Sequence, residues 1–285
     1  MKTLVYVLSI VPLVGACAKD STAPTPEQGP AQPVQLTTVG GTRPTASPDG
    51  QWVAFQVLSG GIARIRPDGT GLETLTSSGV EPEWSRPGSL IVFRDGTDLY
   101  TVDASSRQVT VVASGGGIDD DPAWSPAGNE IAVQGSSPDG ILIVSYPGGT
   151  ISSLSCSESD GSSCAGEGPT WAPNGSSLAF EDGVEILRVP RGGGAAAVVV
   201  SPAFDVTHPA WSPNGTWIAF VMDDATLTNA HIWVAEASGL NRNARQVTSG
   251  MVADYHPAWS PGSGILYFAS DRSGQTEIWK VGFTP

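Results

Sequence analysis

The chain has 285 residues, of which 15% are charged, and a formal net charge of −14. With 28 acidic and 14 basic residues it offers no basic patch to displace counterions, which argues against nucleic acid as a partner. The charge is dispersed and fits plain solubility, and anionic lipid headgroups would not attract the domain.

Lys2 is a short basic start, and Leu4 to Val14 is an apolar stretch of 11 residues. A bilayer-spanning helix needs about 20, so this is read as a signal sequence rather than an anchor helix. Val14-Gly15-Ala16-Cys17 follows and resembles the bacterial lipobox, in which the Cys becomes the lipid-modified N-terminus. The alternative is an ordinary secretion signal cut near Ala16 or Ala18. Residues 18–33, AKDSTAPTPEQGPAQP, are polar and Pro-rich and are expected to form a tether. Fully extended it would reach about 50 Å at ~3.1 Å per residue.

Residues 34–285 repeat one phrase six times. Pro44-Thr45-Ala46-Ser47-Pro48-Asp49-Gly50 comes first and lacks a Trp; Pro82-Glu83-Trp84-Ser85 has its second proline displaced to Pro87. Pro122-Ala123-Trp124-Ser125-Pro126, Pro169-Thr170-Trp171-Ala172-Pro173, Pro209-Ala210-Trp211-Ser212-Pro213 and Pro257-Ala258-Trp259-Ser260-Pro261 complete the set. The leading prolines lie 38, 40, 47, 40 and 48 residues apart. Such a period marks a solenoid or propeller, whose single unit cannot bury its apolar faces alone.

Short β-branched and aromatic runs follow each phrase, for example Trp52 to Phe55, Ile62 to Ile65 and Leu72 to Thr76 in the first unit. They are too short for helices and are bounded by Gly, Asp and Ser, so they read as strands. The Ser-Pro-Asp-Gly type of turn joins the first two. With the strand carrying the phrase, each unit has four. The fold class expected is therefore all-β: a six-bladed β-propeller of four-stranded antiparallel sheets. The tryptophans belong in the wedges between blades, as core. The last unit stops at Val281-Gly282-Phe283-Thr284-Pro285 without a fourth strand, while Val34-Gln35-Leu36-Thr37 before the first phrase matches Arg245-Gln246-Val247-Thr248 before the last. The N-terminal strand should thus close the ring and leave no large open edge.

Of three cysteines, a lipidated Cys17 leaves Cys156 and Cys164, eight apart in a Ser/Gly/Asp-rich loop. Export to an oxidising compartment predicts a disulfide between them, worth about 2–3 kcal/mol in the chain-entropy model. Metal-binding thiolates are the competing reading, but no second ligand pair is near.

The phrase, the strand pattern and the closure together resemble the TolB-type propeller repeat. The stretch Phe268-Ala269-Ser270-Asp271-Arg272-Ser273-Gly274-Gln275-Thr276-Glu277-Ile278-Trp279 is its most specific part. The chain departs from TolB in having only a tether where TolB carries an α/β domain, and in its lipobox. The resemblance implies periplasmic protein binding as a class. It also implies that the residue before each phrase approaches the central channel: Arg43, Glu81, Asp121, Gly168, His208 and His256, with Asp119, Asp120, Glu167, Asp205 and Asp254 nearby. His208 and His256 would stand side by side on blades five and six. Imidazole plus carboxylate can hold a divalent metal, and some pectin-cleaving lyases are propellers with a His-bound metal. The plainer reading is that the two His brace neighbouring blades.

The expectation is an envelope-anchored lipoprotein, held to the membrane by its N-terminal lipid. Its propeller would be a non-enzymatic, monomeric scaffold without cofactor that binds an envelope protein or glycan. Ala18 after Cys17 points to the outer membrane under the enterobacterial sorting rule. The alternative is a metal- or small-molecule-binding channel, a carbohydrate-active lyase included.

Overall fold

The computed structural model describes residues 32–285 apart from 116, 137–138, 158–163, 203, 224–228 and 240–243. The leader, Cys17 and residues 18–31 of the tether lie outside the described residues. Six four-stranded antiparallel sheets follow one another around a ring. Their innermost strands are Gly41–Ala46, Val80–Trp84, Ile118–Trp124, Glu167–Trp171, Val206–Trp211 and Asp254–Trp259. No helix occurs among the described residues.

The core lies between blades. Along each second strand the side chains alternate, and the two faces serve different neighbours. Phe93 in blade two packs back into the cluster shared with blade one, whereas Val92 packs forward with Trp124 of blade three. At the forward-facing position blades one, three, four and five carry Ala54, Ala132, Ala179 and Ala219. Each shares a cluster with the Trp of the next blade: Trp84, Trp171, Trp211 and Trp259. A small residue on one sheet makes room for an indole on the next, and each buried indole contributes about 4–6 kcal/mol of transfer free energy. The sixth junction inverts this order. Blade one has Ala46 in place of Trp, and blade six presents Tyr267, only 3% exposed, in place of Ala.

The Ser of the phrase has a local task that its spacing alone does not reveal. Ser47, Ser85, Ser125, Ser212 and Ser260 each accept, through Oγ, the first amide of the second strand, at 2.9–3.2 Å. Their carbonyls accept the amide three residues on, closing the expected turn, as from Gly50 to Ser47 at 2.8 Å and from Gly128 to Ser125 at 2.9 Å. The displaced Pro87 still lies against the turn of the next blade: a Cβ on Gly128 would sit 2.9 Å from its ring.

The ring closes as expected. Val34–Gln35 pairs antiparallel with the third strand of blade six, Val34 opposite Lys280 and Gln35 opposite Trp279. Thr37 then does for blade six what Thr76 and Thr248 do for blades one and five. Its Oγ1 accepts the amide of Ile278 at 2.8 Å, as theirs accept Ile62 and Ile232 at 3.1 and 2.9 Å. Thr37 also donates to the fully buried Glu277 at 2.6 Å, and the Gly40 amide donates to both oxygens of the same carboxylate at 3.1 Å.

Cys156 and Cys164 form a disulfide, with Cα atoms 5.4 Å apart. Cys164 is buried in the cluster between blades three and four, so the bridge is part of the packing. A short parallel pairing of Cys156–Ser157 with Gly194–Ala195, for which no residue pattern prepared, ties this link to the outer turn of blade four.

Replacing Glu277 by Ala should strand the donors of Thr37 and Gly40 in the core and cost about 2–4 kcal/mol of stability. Urea denaturation measures it, and a midpoint unchanged from wild type would dissociate Glu277 from closure.

Candidate functional site

Every innermost strand carries the same irregularity. Its pairing with the second strand skips two residues, at 43–44, 81–82, 121–122, 168–169, 208–209 and 256–257. The first of each pair has a positive φ: Arg43 49°, Glu81 56°, Asp121 47°, Gly168 55°, His208 54° and His256 52°. The second is always Pro, which donates no ladder hydrogen bond and is tolerated at a bulge. For the five non-glycine residues the left-handed conformation costs on the order of 1 kcal/mol each, and the surrounding sheet imposes it. These bulges place all six residues before the phrase, with the six prolines after them, around one central cavity of about 360 Å³. The tryptophans of blades two, five and six wall it further in, and Pro48, Arg86, Pro213 and Pro261 flank the end of the turns.

The mouth is held by charge. Arg43 forms an ion pair with Asp121 across blade two and lies 3.5 Å from Asp120. Arg94 grips Glu81 with two parallel hydrogen bonds of 2.8 and 2.9 Å, and the amide of Asp121 adds a third at 3.2 Å. Burial pushes Glu81 up to about 7, with the Arg94 guanidinium opposing. His208 and His256 meet edge to face, ring centroids 4.3 Å apart. Nδ1 of His208 is 3.0 Å from Thr207 Oγ1, and Nδ1 of His256 is 3.1 Å from Thr42 Oγ1. Burial, reinforced by Arg43, lowers His208 to about 4 and His256 well below the ordinary value, so both rings are neutral at pH 7.

Repeat spacing did not point to Glu181, which follows Phe180 on the second strand of blade four and stands opposite Glu167. Only 5% exposed, it accepts the amide of His208, while its Oε2 has no partner. Burial, reinforced by Glu167 and Asp182, raises its carboxyl to about 8, with the His208 amide and Arg43 opposing. A Cβ on Gly168 would lie 3.5 Å from Glu181 Oε1 and 3.7 Å from Asp121 Oδ2, so the glycine leaves a gap bounded by two carboxylates. Aligning the units would have flagged the position: Gln56 and Arg94 occupy it in blades one and two, and Gln56 likewise accepts the bulge amide of the next blade, Glu81, at 3.3 Å.

The nearby carboxylates divide. Asp120 joins the ion pairs, whereas Asp119, Glu167 and Asp205 are exposed at the rim. Asp254 does not line the channel; it is fully buried, 2.6 Å from Arg272 and 3.3 Å from His231 Nδ1, and braces blades five and six. No three His, Cys, Asp or Glu among the described residues are grouped to hold a metal ion.

No family model matches the chain. TolB from Acinetobacter baumannii is similar in structure, with a TM-score of 0.63 and 15% identity, over 85% of this chain and 63% of that one. The chain thus spans under two thirds of that TolB. A TolB-type protein from Agrobacterium tumefaciens gives 0.65 and 17% over 89% and 97% of the two chains. An oligogalacturonate lyase in complex with manganese gives 0.60 and 14% over 89% and 93%. At such identities the likeness establishes the fold, a TolB-like six-bladed propeller.

A carboxyl that ionises near 4.5 when unfolded and near 8 when folded contributes stability that is complete below the lower value and is lost as pH rises through the upper one. Glu181→Gln removes that dependence. The stability advantage of the variant should therefore grow between pH 5 and 8, by at most about 1.4 kcal/mol per pH unit. Chemical denaturation at three pH values measures this; parallel curves for the two proteins would refute it.

Proposed function

We propose that this protein is a lipid-anchored component of a bacterial cell envelope whose propeller is a non-enzymatic scaffold for an envelope protein or glycan. The lipobox at Cys17 and the polar tether support the anchor, and the fold shared with TolB supports an envelope setting. One observation carries the scaffold reading: the ionisable side chains of the bulge residues are engaged with neighbours. Arg43 is bound to Asp121, Arg94 to Glu81, and the two His are neutral and packed ring on ring. Groups so committed shape a rigid surface rather than a reactive centre.

The strand directions orient the scaffold. Val34–Gln35 runs from the turn side of blade six toward the bulge side, so the tether leaves the ring on the turn face, opposite the bulge residues. The bulge face then points away from the anchor, available to a partner. Asp119, Glu167 and Asp205 stand exposed at its rim, which favours a partner surface of positive charge.

Cys17→Ser should abolish lipid labelling and release the protein from membranes; continued membrane retention would refute the anchor. Capture from envelope extract by the wild-type protein should yield a partner that is lost when Asp119, Glu167 and Asp205 are replaced together by Lys. Capture unaffected by the triple change would move the interface elsewhere.

A second reading rests on the His pair beside the unpartnered Oε2 of Glu181. The channel would then bind a divalent ion or small molecule, and a related lyase activity would follow. The two readings separate on one measurement. A ligated ion would raise the melting temperature with its concentration and lose that effect in the His208→Ala/His256→Ala variant. The scaffold reading expects no response to divalent ions in either protein.

A further inference from the structure

A second cavity, of about 390 Å³, opens between blades four and five on the turn side of the ring. Arg188, Asn174, Asn214, Ser177, Ser238 and Trp211 line it, and no carboxylate is among its described lining residues. In a chain with 28 acidic and 14 basic residues that composition is against the trend.

Arg188 sits on the third strand of blade four, Ile186–Pro190, between buried Leu187 and Val189. Its cross-strand neighbours are Ala179 and Ala197, whose side chains offer it no polar partner. Equivalent positions in blades two, three and five hold the uncharged Thr101, Ile143 and Val234. Blades one and six hold cations there, and both are engaged: Arg64 by Glu73 at 2.8 Å, Lys280 by the carbonyl of Pro67 at 2.6 Å. Arg188 alone of the three has neither an ion pair nor a hydrogen bond among the described residues.

The two asparagines present donors as well. Asn174 Oδ1 is taken by the amide and hydroxyl of Ser176, at 3.0 and 2.7 Å. Asn214 Oδ1 is taken by the amide of Thr216 and the hydroxyl of Ser212, at 3.0 and 2.8 Å. With its oxygen used by its own turn, each side chain has only its NH₂ group left. A guanidinium, two amide NH₂ groups and two serine hydroxyls make a set rich in donors, walled on one side by the Trp211 indole. A half-buried guanidinium without a counter-charge gains most from a ligand that supplies one, since charge-assisted hydrogen bonds to carboxylate or phosphate are about twice as strong as neutral ones.

We propose that this cavity is a binding site for an oxyanion, a carboxylate or a phosphate carried on a sugar. It lies on the face from which the tether leaves, opposite the bulge face proposed for the partner, so the scaffold would hold two ligands on opposite faces. The site does not depend on what the channel binds.

Calorimetric titration of the full chain with glucuronate, glucose 6-phosphate and neutral glucose tests it. At least one of the anions should bind, glucose should not, and the preferred anion identifies the oxyanion. Arg188→Gln should weaken that binding at least tenfold without lowering the melting temperature of the free protein. Asn174→Ala/Asn214→Ala should weaken it while Arg188 remains, which keeps the test open if the first variant folds poorly. Binding of neither anion, equal binding of glucose, or undiminished binding to Arg188→Gln would overturn the proposal.

Discussion

The structure depends on one contact repeated around the ring: an indole from one blade seated over a small residue of the blade before it. A single four-stranded sheet has two apolar faces and no means of covering either. Trp84 over Ala54, Trp171 over Ala132, Trp211 over Ala179 and Trp259 over Ala219 cover them in pairs, so no blade is stable without both neighbours. Closure is therefore part of the core rather than an ornament on it. The buried carboxylate of Glu277, bonded to Thr37 and Gly40, is where the two ends of the chain become one sheet.

With the blades fixed by these wedges, the bulge before each phrase can carry almost any residue. Its positive φ and following proline are the same in all six blades, while the side chains range from Gly168 to Arg43. Scaffold and channel lining are thereby decoupled. The wedge residues answer to packing, and the bulge residues answer to whatever approaches the mouth. That division explains how propellers of similar backbone differ so widely in what lines the channel, and why fold alone does not assign chemistry here.

Much of this was legible in the residues. The period, the turn chemistry and the likeness of Val34 to Thr37 to the segment before the last phrase fixed blade number, strand count and closure. The positions of Arg43, Glu81, Asp121, His208 and His256 followed from the resemblance, and the structure brings them around one cavity. Other features were hidden for physical reasons. Glu181 and Arg94 belong to the second strand and reach the mouth only because the bulge shortens the first, a register effect with no local motif. Asp254 lies two residues before the channel residue His256, where regular alternation would put both on one face; the left-handed bulge at His256 turns that ring to the channel and leaves Asp254 in the wedge, toward His231. Arg188 reads as an ordinary strand residue; its isolation appears only when its cross-strand neighbours and the turns of the next blade are placed around it.

The inverted junction between blades six and one bears on ring size. A tyrosine fills the space that alanine leaves open in blades one, three, four and five, so blade six accepts only an inner strand without tryptophan, and Ala46 lies on the one strand that qualifies. An internal repeat copied after blade six would bring an indole against Tyr267 and overpack the joint. The same mismatch would penalise blade six of one molecule adding to any blade but the first of another. Two residues thus act as a stop signal that counts the ring to six.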